Sequence, residues 1–499
     1  MINVLQNCFI LILLCLFSLL CFFVFFFKKP KDGSDLPPSP PSMPIIGHLH
    51  LLLSSLFHKS FQKISSKYGP LLHLRIFNVP IVLVSAASVA NEIFKAHDVN
   101  ISSRGLPPID ESLFFGSSGF FSAPHGDYWK FMKKLVVAKL LGPQAIERSR
   151  AARAEELERF YFDLLNKAMR KETVEIRAEA MKFTNNSTCK MIIGRSCGED
   201  NGESERVRGL ITESIALSKK VLFATLLRKP LEKLGISLFR KEIMDISGRY
   251  DELLERFLVE HEEKLEKHHH QQGKDLMDVL LEAKGDENAE HKITRDHIKS
   301  LFVELFLGGT DTSKQTIQWT MAEIINNPKT IERLREEMDS VVGKSRLIQE
   351  TDLPNLPYLQ AVVKEGLRLY PPVPLFGRRL QEGFNGYAIM RDPNDWEDPD
   401  EFKPERFLAS SNTTGQEDES REHVLKYFSF GSGRRGCPGS NLAYIFLGTA
   451  IGMMVQCFDW KIKEDKVNME ETLSGMVLTM AHPLKCTPVP RICSFPVRH

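Results

Sequence analysis

The 499-residue chain carries almost no net charge: 65 Lys and Arg stand against 64 Asp and Glu. That balance excludes the broad basic face of a nucleic-acid-binding protein and the charge excess of a disordered chain, so any charged patch is local. Cysteine is scarce as well. Nine cysteines in a chain this long do not make the framework of a small secreted domain, and Cys8, Cys15 and Cys21 lie in or beside an apolar run. No internal repeat is present, which excludes a solenoid or propeller. No Lys or Arg precedes residue 28, a gap that decides how the first segment is read.

That segment is the longest hydrophobic run in the chain. From Phe9 to Phe27 every residue is apolar except Ser18, a stretch of 19 residues, and Lys28, Lys29 and Lys31 follow it at once. The length suits a bilayer span. A cleavable signal peptide has the opposite order, with positive charge first and small residues at a cut site after a shorter apolar stretch. The positive-inside bias then leaves the bulk of the chain in the cytosol, where thiols are expected to be reduced. The Asn186-Ser187-Thr188 and Asn412-Thr413-Thr414 sequons are read as chance.

Leu36 to Pro41 holds four prolines in six residues, each fixing its own φ and restricting the residue before it, so this is a stiff spacer. The predicted organisation is a short lumenal N-terminus at 1–8, a transmembrane anchor at 9–27, a basic, proline-rich hinge at 28–44 and one mainly α domain with a smaller β region at 45–499. Within it, Ile81 to Val84 reads as a strand and Ala145 to Lys171 as an amphipathic helix. Glu262 to Asn288, with His268, His269 and His270, reads as a solvated connection, because three adjacent histidines cannot all face one metal from a regular helix.

The most specific signal runs from Phe430 to Gly439 and ends Arg434-Arg435-Gly436-Cys437-Pro438-Gly439, ahead of an apolar helical stretch from Leu442 to about Val455. Four glycines in ten residues let a backbone fold tightly against a flat ligand. A cysteine at such a loop's end, near a helix N-terminus, is expected to favour the thiolate. A thiolate on haem iron pushes electron density toward O–O cleavage. Arg435 offers a fixed charge with carboxylate geometry. For a cysteine met at random, a buried structural thiol is the commoner role.

Upstream, Ile298 to Ile325 reads as a long apolar helix broken by Gly308-Gly309-Thr310-Asp311-Thr312. Paired glycines cost roughly 1 kcal/mol each in a helix, so they call for a kink or a close approach to a planar group. Asp311 and Thr312 then place an acid and an alcohol at the opening, suited to moving protons and water. The plainer alternative is helix packing with Asp311 turned to solvent. Glu365 and Arg368 stand three apart on the predicted helix Tyr358 to Leu369 and so can pair.

Taken together these segments resemble the cytochrome P-450 superfamily of haem-thiolate monooxygenases. Phe430, Gly433, Arg435, Cys437 and Gly439 match its cysteine-ligand signature, Asp311 and Thr312 its acid-alcohol pair, and Glu365 and Arg368 its E-x-x-R pair, with Arg406 as the third member. The resemblance implies that Cys437 is the metal ligand and that Phe430, Gly431, Arg435, Trp129, Lys133 and Arg378 help to hold the cofactor. At Lys133 the family's usual Arg is replaced by a point charge without the guanidinium fork. It also implies haem b as cofactor and NADPH supplied through NADPH–cytochrome P-450 reductase. The other partners are membrane lipid and a small lipophilic substrate, with no nucleic acid, and the site is the endoplasmic reticulum membrane with the catalytic domain facing the cytosol. The finer texture is similar to the plant clan of specialised metabolism, including the crucifer group that oxidises triterpenes.

Two other readings belong beside this one. The first is a haem-thiolate isomerase or lyase that acts on a preformed hydroperoxide. The second is a catalytically impaired variant, because the family's strand–turn–strand segment after Arg379 is reduced to Leu380 to Gly386, a loss of roughly 15 to 20 residues, the size of a two-stranded hairpin. Such a loss is expected to leave a strand edge unpaired and to open part of the pocket wall.

Overall fold

The computed structural model describes residues 12–19, 36–77, 79–104, 119–121, 123–196, 202–232, 235–267, 275–285, 291–378, 382–408 and 426–491. Helix dominates, as expected. Of the apolar N-terminal run only residues 12–19 are described. They are helical, and Leu14, Phe17 and Leu19 among them are exposed. Among the described residues, the helix long and apolar enough to cross a membrane is Ser440–Cys457, and it is two-thirds buried as a core element.

The core is helix packed on helix. Helix Ile176–Ile193, helix Thr312–Asn326, helix Pro357–Leu369 and helix Ser440–Cys457 surround one continuous apolar cluster. Trp319 and Tyr370 stack within it at 4.1 Å and 2° between ring planes. Each fully buried Leu or Phe contributes about 1.5–3 kcal/mol here. Local chemistry sets several boundaries. Thr294 caps helix Arg295–Phe306 in a reciprocal pair with His297, and Pro357 and Pro328 occupy first turns, where no N–H is needed. Gly194 ends helix Ile176–Ile193 at φ 69°, a conformation that excludes most side chains.

Among the described residues, nine strands form three small sheets. β1 (Leu71–Ile76), β2 (Val79–Val84), β4 (Leu375–Arg378) and β5 (Glu382–Asn385) lie in the order β1-β2-β5-β4. β3 (Val174–Glu175), β9 (Lys485–Pro490) and β6 (Phe458–Lys461) form a second sheet, and β7 (Glu471–Ser474) pairs with β8 (Val477–Met480).

Several expectations change. Ala145 to Lys171 is two helices, Pro143–Arg148 and Arg150–Met169, broken at Ser149. Much of the supposed connection from 262 to 288 is regular: helix Arg240–Lys267 runs into it and helix Leu276–Gly285 lies inside it. His268, His269 and His270 fall outside the described residues. Cys189 is disulfide-bonded, against the expectation of reduced thiols.

The shortened segment still contributes a strand. Glu382 to Asn385 do not dangle; they form β5, pairing parallel with β2 and antiparallel with β4, with Gly383 opposite both Leu83 and Gly377. Both edges of β5 are therefore paired, and β4 is left at the edge of the sheet among the described residues; residues 379–381 lie outside the described residues.

Candidate functional site

The cysteine loop is fixed by its own backbone. Gly431 N–H donates to Phe428 O (2.9 Å), Gly436 N–H to Gly433 O (3.0 Å) and Cys437 N–H to Phe430 O (2.9 Å). Gly431 and Gly433 take φ of 68° and 70°, which only glycine adopts at little cost. At Gly433 space is closed too, since a Cβ would overlap the Asp98 carboxylate that accepts from Arg434 N–H (3.2 Å) and Arg434 Nη1 (2.7 Å). Ser429 Oγ donates to Leu367 O (3.1 Å) and so ties the loop to helix Pro357–Leu369.

Cys437 is exposed, but into a cavity of about 380 Å³ that it helps to line. Burial pushes its thiol up, against the pull of the Gly439 N–H and the Arg104 guanidinium. The expectation that the loop by itself favours the thiolate is thus not met. Desolvation outweighs one N–H and one guanidinium charge, and a coordinated metal ion is what deprotonates such a thiol.

Gly308, Gly309 and Thr312 line the same cavity. The two glycines sit on a π-helical turn, Leu307–Asp311, between helix Arg295–Phe306 and helix Thr312–Asn326, which Thr312 opens. This widened turn is the interruption the paired glycines announced, and π-turns recur at functional sites. A Cβ at Gly308 would meet nothing within 4 Å, whereas one at Gly309 would press on Thr188 Oγ1 at 3.2 Å. Thr312 Oγ1 donates to Gly308 O (2.6 Å). Asp311 does not join it. Its Oδ1 pairs with Lys314 Nζ at 2.5 Å, both side chains nearly sealed from solvent, and Oδ2 has no hydrogen-bond partner among the described residues. The structure therefore separates the acid from the alcohol that the sequence placed side by side. It also excludes the solvent-facing alternative.

Three guanidinium groups converge on the cavity wall. Arg104, Arg378 and Arg435 are pushed down to about 9, 10 and 10. Burial is the largest cause in each; Arg378 and Arg435 add repulsion at Arg104, and Arg378 adds it at Arg435. Arg435 spends its donors on backbone, with Nε to Ser102 O (2.6 Å), Nη1 to Phe120 O and Phe121 O (3.4 Å each) and Nη2 to Ala123 O. Its fork braces residues 102–123 and still leaves its charge 4.3 Å from the Trp129 ring. Lys133 Nζ donates to Arg434 O (2.8 Å) and lies 5.0 Å from the same ring. Arg104 Nε, Arg378 Nε and Trp129 Nε1 are buried without hydrogen-bond partners among the described residues.

Buried cations and orphaned donors on one wall require an anionic ligand. A cysteine on the cavity floor supplies a soft donor for a metal. A flat iron porphyrin with two carboxylates meets both demands, so the residues present fit haem. On this fit Cys437 would hold the iron and Arg104, Arg378, Arg435, Trp129 and Lys133 would meet the propionates, beside the loop that carries Phe430 and Gly431.

Behind the loop, Glu365 holds Arg368 through two bonds (2.7 and 2.8 Å), both side chains fully buried, and Arg406 Nε reaches Glu365 Oε1 at 3.1 Å. Arg368 also donates to Met390 O and Pro399 O (2.7 Å each).

The Cytochrome P450 family profile matches residues 37–488. The chain belongs to the cytochrome P450 family. It is similar to cytochrome P450 705A22 of Arabidopsis thaliana, 66% identical over 97% of each chain. It is also similar to 3,9-dihydroxypterocarpan 6A-monooxygenase of Glycine max, 38% identical over 97% of this chain and 99% of that one. A zebrafish cytochrome P450 solved with abiraterone superposes at a TM-score of 0.70, with 24% identity, over 87% of this chain and 99% of that one. The chain is accordingly a haem-dependent monooxygenase.

Three residues of the site escaped the sequence reading. Arg104 belongs to no motif. Lys314, three residues after Asp311, was findable by helical spacing. Glu304, one turn before Gly308 on the cavity face, was findable in the same way.

Proposed function

We propose that the enzyme is an NADPH-dependent monooxygenase that inserts one oxygen atom from dioxygen into a lipophilic specialised metabolite, with a triterpenoid as the leading class. Electrons come from NADPH–cytochrome P450 reductase at the endoplasmic reticulum membrane, to which residues 9–27 anchor the chain. The observation that carries this is the sharing of one cavity by Cys437, Thr312 and the three guanidinium groups. Bound haem supplies dioxygen activation and oxygen transfer. The chain's own residues would do the rest: Cys437 would hold the iron, the guanidinium wall and Trp129 would meet the carboxylates, and the apolar walls would keep bulk water out. Thr312 lines the cavity with its hydroxyl proton donated to Gly308 O, leaving the oxygen as an acceptor there. Asp311, paired to Lys314, is a proton source only when that pair opens.

That pairing is the one feature favouring the second reading, a hydroperoxide isomerase or lyase, which needs no proton relay. The test is reconstitution with reductase and a panel of lipophilic substrates. NADPH- and dioxygen-dependent product is expected. Turnover of a fatty-acid hydroperoxide without NADPH, and no NADPH-dependent product, would reverse the order.

A further inference from the structure

The run Thr184-Asn185-Asn186-Ser187-Thr188 puts five polar residues in a row on helix Ile176–Ile193, and all five are buried. A helix with one wet face would leave some of them exposed, so their polarity has an internal use or an internal cost. Thr184 and Thr188 spend their hydroxyls on carbonyls one turn back, Ala180 O (2.9 Å) and Thr184 O (2.7 Å). Asn185 spends nothing. It is fully buried, and neither its Oδ1 nor its Nδ2 has a hydrogen-bond partner among the described residues.

Where Asn185 faces follows from its neighbours. Met181 and Thr188, four before it and three after, share its side of the helix. Met181 Sδ lies 3.6 Å from Lys314 Nζ, and Thr188 Oγ1 is the atom a Cβ at Gly309 would press on. Asn185 therefore stands between these contacts, over the π-turn Leu307–Asp311. Two polar atoms of that turn are likewise buried without partners among the described residues: Thr310 Oγ1 and Asp311 Oδ2. Thr310 meets the same helix, because its carbonyl accepts from Thr184 Oγ1 at 3.4 Å.

Four unpaired polar atoms at one helix seam are costly unless something completes them. Asn185 Nδ2 donates, Asn185 Oδ1 and Asp311 Oδ2 accept, and Thr310 Oγ1 does either. Water serves both kinds at once, with about three bonds for each buried molecule. A cation would leave Nδ2 unserved, and an anion would face the Asp311 carboxylate.

We infer that a buried water bridges Asn185 to Asp311 Oδ2, and that Asn185 is thereby a positioning residue for the acid, setting how readily the Asp311–Lys314 pair opens. This deepens the proposed monooxygenase reading and rests on it. In the closed pair Oδ1 is held by Lys314 at 2.5 Å. When the pair opens, the carboxyl keeps the water and, through it, the Asn185 amide, so opening costs less than it would for a carboxyl left with nothing. Asn185 is not among the residues that line the cavity, and it acts only through Asp311.

The test begins with a crystal structure of the haem-loaded enzyme at a resolution that shows water. A water within hydrogen-bond distance of both Asn185 and Asp311 Oδ2 is expected. Turnover with reductase, NADPH and a substrate from the lipophilic panel then reads the role. Asn185→Leu should lower kcat about tenfold or more and raise its solvent deuterium isotope effect, with KM within about threefold. Asn185→Ser, which keeps a hydroxyl and leaves room for a further water, should recover most of both. A dry seam, in which Asn185 and Asp311 take protein partners instead, would overturn the inference, and that result does not depend on whether Asn185→Leu loads haem. An unchanged kcat and isotope effect in Asn185→Leu, or a loss that Asn185→Ser shares in full, would overturn it too. Failure of the monooxygenase reading is seen separately, as absence of haem-thiolate absorption or of NADPH-dependent turnover in the wild type.

Discussion

Replacing Glu365 by Leu isolates what holds the cysteine loop's support in place. Arg368 is fully buried, and two of its bonds, from Nε at 2.7 Å and Nη2 at 2.8 Å, go to Glu365. Glu365 also receives Arg406 Nε (3.1 Å) and the Lys403 N–H (2.9 Å). Removing one partner of a buried ion pair costs about 3–5 kcal/mol, because the remaining charge stays buried without compensation. An orphaned backbone N–H adds about 1 kcal/mol. Against a typical domain stability of about 5–15 kcal/mol, this is a large share. Urea unfolding followed by circular dichroism should show a midpoint well below the wild type, with haem occupancy falling in parallel. The double variant Glu365→Leu/Arg368→Met should be markedly more stable than Glu365→Leu alone, because it removes the stranded charge. A single variant within about 1 kcal/mol of the wild type, or a double variant in which the two losses simply add, would refute the reasoning.

Other expectations follow from individual contacts. Gly433→Ala should abolish haem-thiolate absorption, since its φ of 70° and the Asp98 carboxylate leave no place for a methyl group; a normal spectrum would contradict this. Lys314→Met strands the buried Asp311 carboxylate and should cost about 3–5 kcal/mol in urea unfolding, with Thr312 geometry untouched. Burial pushes the Glu471 carboxyl up, but the His58 hydrogen bond and the Lys59 and Arg391 charges outweigh it and hold the group at about 2, against an ordinary 4.5. Its folded value is depressed, so its stabilisation, up to about 3 kcal/mol, is present above pH ~4.5 and lost as pH falls toward 2. Glu471→Gln should flatten that part of the acid-unfolding curve, and an unchanged curve would count against the assignment. A hairpin-length insertion between Arg379 and Gln381 should leave the fold intact, whereas the same insertion after Gly383 should break the register of β5 with β2 and β4 and lower protein yield sharply; equal tolerance of both would contradict the sheet order.

Much of the fold and site was legible because the chemistry is local in sequence. Phe430 to Gly439 carries its own turns, and Glu365 and Arg368 share one helix face, so both read directly from spacing. What spacing did not show depends on partners brought from elsewhere. Asp311 and Thr312 are adjacent, yet the π-turn and the cation of Lys314 take them to different surroundings. Arg435 was read as a free carboxylate fork, but its donors are taken by carbonyls near residues 102 and 120–123, more than 300 positions away. Arg104 is a site residue only because it meets Arg378 and Arg435 in space. The shortened segment looked like damage in one dimension. In three, β5 is paired on both edges and β4 stands at the edge of the sheet, a placement set by β2, about 300 positions upstream.

The most direct test of the central claim is the carbon-monoxide difference spectrum of the reduced, membrane-expressed protein, recorded beside Cys437→Ser. A Soret band at the long-wavelength thiolate position in the wild type, absent from Cys437→Ser, is the predicted result. A wild-type band only at the shorter-wavelength position, no haem at all, or a thiolate band that survives in Cys437→Ser would contradict the assignment of Cys437 as the iron ligand.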